Sequence, residues 1–141
     1  SDDRVRLQAS LECQYLDQYK NYQNYAECDG AQLNSGDRFR VIFHVSKESY
    51  VYLFLSNDHG DRSMLFPDVK VKNRVKPNIE YIIPGRGWYE LDDRGNVTER
   101  VHLVSSVKSI PQLEASRGTD LNLKALQKLK MIFRASFMIV F

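Results

Sequence analysis

A histidine between two carboxylates is the first place in this chain where chemistry is conceivable. Asn57, Asp58, His59, Gly60 and Asp61 follow one another on a short polar turn. The carboxylates are hard oxygen ligands and the imidazole is a borderline nitrogen ligand, so the three suit a divalent ion. Three ligands leave the shell incomplete, and Asn57 or a distant residue would have to fill it. Asn, Asp and Gly also collect in turns for backbone reasons alone, and that ordinary reading is favoured. Asp92, Asp93 and Asn96 have the same composition and take the same reading. His44 and His102 lie on strand-like alternations beside arginines and belong to no metal or catalytic motif. Cys13 or Cys28 could form a thiol nucleophile with a histidine, but no spacing supports it. No glycine-rich phosphate loop and no serine elbow is present. The residues therefore assign no catalytic role, no metal site and no cofactor.

The two cysteines are better read as a pair. The segment between Cys13 and Cys28 is polar and loop-like. A disulfide closing a loop of that size is worth roughly 3 kcal/mol and implies an oxidising compartment. Two reduced thiols are the alternative. The chain opens on Ser-Asp-Asp-Arg, which reads as a processed or trimmed end.

The elements that must position any site are strands. The 141 residues are 43% hydrophobic and 11% aromatic, enough for one domain with a real core. The net charge of +2 lacks the basic bias of a dedicated nucleic-acid binder. No apolar run is long enough for a membrane-spanning helix. Val5 to Tyr15 alternate with polar residues at period two, which predicts a half-buried strand. Residues 17–37 are rich in Asn, Gln, Asp and Gly and predict an irregular loop, stacked on Tyr15, Tyr19, Tyr22 and Tyr25. Residues 38–45 alternate again. Residues 50–57 are apolar on both faces, which predicts a central, covered strand. Residues 57–61 are then a hairpin bend. Shorter strands follow around residues 62–66, 79–84 and 88–91, and a longer one over 97–106. Pro111 opens a helical turn. Residues 121–130 carry leucines on one face and lysines on the other, which predicts a short helix. The apolar end, 133–141, predicts a final strand inside a sheet.

Two surfaces are candidates for contact. Lys70, Lys72, Arg74 and Lys76 fall on one alternating set. They suit an edge strand whose charges prevent unwanted pairing, or a strip for polyanions; the first is favoured. Arg86, Trp88 and Tyr89 follow Pro84 among glycines. They combine residue types common in binding hot spots and suit protein or sugar contact; a tryptophan that plugs the end of the sandwich is the favoured reading.

Several stretches together resemble a known family. LNSGDRFRVIF, SYVYLFLSNDHG, LFPD and YIIPGRGWYELDDRGNVTERVHLVSS stand in that order. The order is similar to a widespread bacterial domain of unknown function. That domain occurs in envelope lipoproteins and secreted proteins, and beside caspase-like peptidases, kinases and repeat domains. The resemblance covers about residues 33–106 and implies an accessory β-domain, without catalytic residues to carry over.

The expectation is one mainly β domain over residues 1–141. It is an antiparallel β-sandwich or partly closed barrel of about eight strands with one short C-terminal helix. Its expected role is non-catalytic, by protein–protein contact, in the periplasm, at the outer membrane or secreted, with a lipid anchor allowed. A cell-wall glycan or polyanion binder using Lys70 to Lys76 and Trp88 is one alternative. A metal-dependent enzyme module is another.

Overall fold

The computed structural model describes residues 5–57, 62–68, 72–91, 96–115, 117 and 128–138; for 57, 96–99 and 128–138 it gives the backbone alone. The turn with Asp58, His59 and Asp61 lies outside the described residues, as do Lys70, Asp92 and Asp93.

Period-two alternation is fully realised in β4 (Arg38–Val45). Phe39, Val41, Phe43 and Val45 are completely buried, while Arg38, Arg40, Ile42 and His44 alternate with them on the outer side. β1 (Leu7–Leu16) pairs antiparallel with β4 from Leu7 opposite Val45 to Gln14 opposite Arg38. β2 (Tyr22–Asn24) pairs with the free side of β1. β7 (Tyr81–Ile83) and β8 (Tyr89–Glu90) share the far edge of β4. The second sheet runs β3 (Gln32–Asn34), β10 (Lys128–Met138), β9 (Asn96–Ser106), β5 (Tyr50–Asn57), β6 (Arg62–Phe66). Inward residues of the two sheets meet in one core, with Phe39, Val41, Phe43 and Val45 against Val51, Leu53, Leu55, Val101 and Leu103. The fold is thus the expected mainly β sandwich. Its sheets do not close into a barrel among the described residues.

One ladder departs from the antiparallel expectation. β10 runs parallel to β9, from Lys128 opposite Asn96 to Met138 opposite Ser106. Parallel neighbours require a crossover, and the chain after Ser106 begins one. It carries α1 (Pro111–Glu114), the turn that Pro111 opens, onto the outer face of β5. Residues 118–127 lie outside the described ones. Lys128 to Lys130, the end of the expected second helix, are strand. Their backbone groups are held between β3 and β9, so sheet pairing overrides the local helical pattern.

β5 is covered on both faces, as its sequence requires. Val51, Leu53 and Leu55 face the main core, while Tyr52 packs with Met64 and Leu113 in a second cluster. Ile110 N–H donates to the buried Tyr52 hydroxyl at 2.9 Å. Asn73 Nδ2 and Arg117 Nη1 donate to the Glu114 carboxylate at 3.2 and 3.1 Å. Burial pushes the Glu114 carboxyl up, but hydrogen bonds from Tyr52, Asn73 and Arg117 outweigh it and hold the group below the usual glutamate range.

The first part of the expected irregular tyrosine loop is instead a hairpin of β1 and β2, while residues 25–31 are irregular as expected. Asp17 Oδ1 accepts from Tyr19 N and Asn21 N, both at 2.9 Å, and Lys20 adopts φ 67°. That side-chain turn lets β2 return along β1. Beyond it, Asp37 gathers the chain at this end of the sandwich. The residue is 3% exposed. Its carboxylate accepts from Leu16 N (3.1 Å), Asn34 N (2.8 Å) and the Tyr25 hydroxyl (2.7 Å). Its backbone N–H donates to Asn34 O, and its carbonyl accepts from Leu91 N, both at 2.9 Å. Gly36 before it has φ 91°, a conformation that side-chain-bearing residues rarely adopt. Burial, then the bond to Asp37, raises the Tyr25 phenol well above its ordinary pKa.

Two outcomes follow from these networks. Asp37→Ala leaves three donors facing a void and should cost about 3 kcal/mol or more in urea unfolding, whereas Tyr25→Phe should cost about 1 kcal/mol. A carboxylate whose folded pKa is depressed stabilises the fold above its unfolded pKa and ceases to do so as pH falls through the folded one. The urea midpoint of the native chain should therefore exceed that of Glu114→Gln at neutral pH, and the gap should narrow below pH ~4.

Candidate binding surface

The outer face of the first sheet carries the residues that converge. Because β4 alternates, Arg38 and Arg40 stand on its outer side. The antiparallel register sets Gln14 and Glu12 of β1 directly opposite them. Those cross-strand pairs are also bonded: Arg38 Nε donates to Gln14 Oε1 at 2.8 Å, and Arg40 Nε to Glu12 Oε1 at 3.0 Å. Gln14 is held in turn, its Nε2 donating to Asn24 Oδ1 of β2 at 2.8 Å.

Two aromatic rings complete the face. Tyr22 of β2 lies with its ring centroid 3.5 Å from the Arg38 guanidinium carbon. Trp88 comes from the turn between β7 and β8, where Gly87 takes φ 100° and so reverses the chain in a way few other residues tolerate. The indole centroid is 4.6 Å from the Arg38 guanidinium and 4.2 Å from that of Arg40. The order across the face is Tyr22, Arg38, Trp88, Arg40, with cation and ring alternating. Each contact is worth about 0.5–1 kcal/mol at a partly exposed site. The Tyr22 hydroxyl donates to Gly36 O at 3.2 Å. Burial, then the negative charge of Glu90, raises its pKa.

Chemically the face combines residue types suited to recognition. Both half-buried guanidiniums use Nε within the fold and lie against aromatic rings. The indole presents a broad amphipathic ring whose position is fixed by two cations. Among the described residues no group of three His, Cys, Asp or Glu is placed to hold a metal ion.

The expected site residues do not all meet here. Trp88 does not plug the sandwich end; it lies on the outer face over Arg38 and Arg40. Tyr89 turns the opposite way, its ring 5.2 Å from Phe39 of the core. Arg86 is exposed at the tip of the turn. The three are neighbours in sequence and diverge because successive β residues face opposite sides. Lys72, Arg74 and Lys76 are exposed, and Asn73 and Val75 are buried between them. The alternation is as expected, but among the described residues the segment forms no strand: its backbone pairs through one bridge, Val75 to Ser49, just before β5. The Asn73 side chain occupies the next pairing position, its Oδ1 accepting from Val51 N at 2.9 Å. Arg74 bonds Glu48 and the Tyr50 hydroxyl, each at 3.2 Å. Cys13 and Cys28 form a disulfide with Cα atoms 5.4 Å apart, inside the core.

His44 sits on the outer face of β4 opposite Gln8, as expected. His102 is more engaged than its sequence suggested. Its ring stacks on Phe54 with centroids 4.7 Å apart, and Nε2 is 2.8 Å from Ser56 Oγ. The reading from sequence missed Tyr22, Arg38 and Arg40 as partners of Trp88. The shared face of Arg38 and Arg40 was visible in the alternation. The return of Trp88 onto it depends on the β4–β8 register, which no local pattern specifies.

A family model described as a domain of unknown function, DUF4384, matches residues 32–108, just over half of the chain. The match agrees with the resemblance carried by the Gly36-to-Ser106 stretches. No curated protein and no solved structure matches.

A double-mutant cycle on Arg40→Ala and Trp88→Ala tests the face itself. The coupling energy from urea unfolding should be about 0.5–1 kcal/mol in favour of the pair. A value near zero would show that the two merely sit side by side.

Proposed function

The chain belongs to the DUF4384 family, and on that premise we propose that it is a non-catalytic β-domain of a bacterial cell-envelope or secreted protein. It acts by protein–protein contact, and its contact surface is the face built from Tyr22, Arg38, Trp88 and Arg40. The observation that carries this reading is the alternation of two guanidiniums with two aromatic rings on one rigid sheet face. Trp, Tyr and Arg are the residue types that dominate binding hot spots. Their cross-strand bonds to Gln14 and Glu12 hold the side chains in place before any partner arrives, which lowers the ordering cost of association. A partner of ordinary size would cover about 800 Å² here, enough to reach across β1 and β4. The disulfide between Cys13 and Cys28 supports an oxidising compartment such as the periplasm.

Photo-crosslinking in the native host tests the reading. A p-benzoylphenylalanine at Ser10, exposed on β1, should trap a protein partner, and Trp88→Ala in the same chain should abolish the adduct. Placed at Asp29, exposed in the segment after β2, the same probe should trap far less. Adducts from Ser10 that persist in Trp88→Ala would overturn the assignment of this face, and so would their absence throughout.

A further inference from the structure

One end of this fold collects cations. β1 begins, β4 ends, β5 begins and β9 and β10 end at one pole of the sandwich. Six cations gather there by separate routes. Arg6 is tied to the β4–β5 turn by Ser46 N donating to Arg6 O at 2.9 Å and Arg6 N donating to Ser46 Oγ at 2.8 Å. Lys47 stands in that turn. Lys72, Arg74 and Lys76 are brought beside it by the paired backbone bonds of Ser49 and Val75, at 3.2 and 2.8 Å. Lys108 follows β9, its N–H donating to Ser106 Oγ at 3.2 Å, and Ser106 lies opposite Tyr50. Arg6, Lys72, Arg74, Lys76 and Lys108 are exposed. Among the described residues the acids near this group are Glu48, paired with Arg74 at 3.2 Å, Glu80, on the first-sheet side near His44, and Glu114, bonded to Asn73 and paired with Arg117 at 3.1 Å. The opposite pole is mixed: Asp17, Glu27, Asp29, Asp37 and Glu90 share it with Lys20, Arg38, Arg62, Arg86 and the strand positions of Lys128 and Lys130. A net charge of only +2 does not reveal the basic cluster.

We propose that the basic pole docks on an anionic phospholipid surface. The cations stand on a rim of turns and strand ends, a layout that meets a plane of phosphates better than a single enclosed ligand. The chain also enters β1 and leaves β10 at this pole, so any flanking segment holds this end toward whatever it is attached to. The excess of positive charge at this pole turns it toward an anionic surface. The face of Tyr22, Arg38, Trp88 and Arg40 then stands sideways to the membrane and stays open to a partner.

Vesicle sedimentation tests this with the intact chain. The protein should sediment with phosphatidylcholine vesicles containing phosphatidylglycerol and stay in solution with phosphatidylcholine alone. Binding should weaken steeply as salt rises, because exposed charges are screened beyond about 8 Å at physiological ionic strength. Each basic residue near such a surface contributes about fivefold in partitioning, so Lys72→Glu, Lys76→Glu and Lys108→Glu together should lose ~100-fold or more. That variant spares Arg74, whose bonds to Glu48 and Tyr50 brace the fold. An unchanged thermal melt would confirm that it folds. Trp88→Ala should bind vesicles as the native chain does, which separates this proposal from the protein-contact reading. Equal binding to neutral vesicles, or no loss in the triple variant, would overturn it. Binding to soluble polyphosphate without binding to vesicles would overturn it in favour of an anionic polymer.

Discussion

One buried carboxylate holds this architecture together at the pole where β4 begins. Asp37 is almost fully enclosed, yet each of its oxygens has a donor: the end of β1, the end of β3 and the Tyr25 hydroxyl. A buried charge without such partners would be expensive. With them it ties the ends of β1 and β3 and the segment of Tyr25 to the start of β4. The backbone adds a further stretch, because Gly36 N–H donates to Leu91 O while Leu91 N–H donates to Asp37 O. β4 starts from this knot. The outward positions of Arg38 and Arg40, and the approach of β8 with Trp88, follow from where the knot places that first residue.

The same constraint accounts for what was legible in the sequence. The faces of β4 and β5 could be assigned because alternation reports burial directly. Phe39, Val41, Phe43 and Val45 are buried as that pattern requires, and Tyr52 is buried on the second face because α1 covers it. Gly36 could be assigned a turn role, though the several bonds of Asp37 could not be foreseen. The hairpin through Asp17 was hidden because its signal is a side-chain turn within polar residues. The Asn73 amide in place of a strand was hidden because it acts by one long-range bond to Val51. The parallel partner of β9 was hidden because a crossover leaves no local pattern; the helical spacing before residue 131 pointed elsewhere.

The candidate surface lies between these cases. Its cations were readable as one side of an alternating strand and its tryptophan as an isolated ring. Their stacking required the register of an edge strand only two residues long. Arg86, Trp88 and Tyr89 looked like one cluster and are in fact divided between tip, face and core. The basic cluster was equally invisible in a near-neutral total. It emerges only when the β4–β5 turn, the segment around Val75 and the end of β9 are brought to one pole. The proposed contact face and the proposed docking pole are compatible because they occupy different sides of the sandwich.

Trp88, the single tryptophan of the chain, reports directly on whether the Asp37 knot governs the binding face. Its fluorescence emission should be compared between the native chain and Asp37→Ala under conditions where both remain folded by circular dichroism. The account predicts a red-shifted emission in the variant and greater quenching by iodide, because the start of β4 no longer holds Arg38 and Arg40 under the ring. Superimposable spectra and equal quenching would contradict it, and would mean that the face is set by β4 and β8 alone.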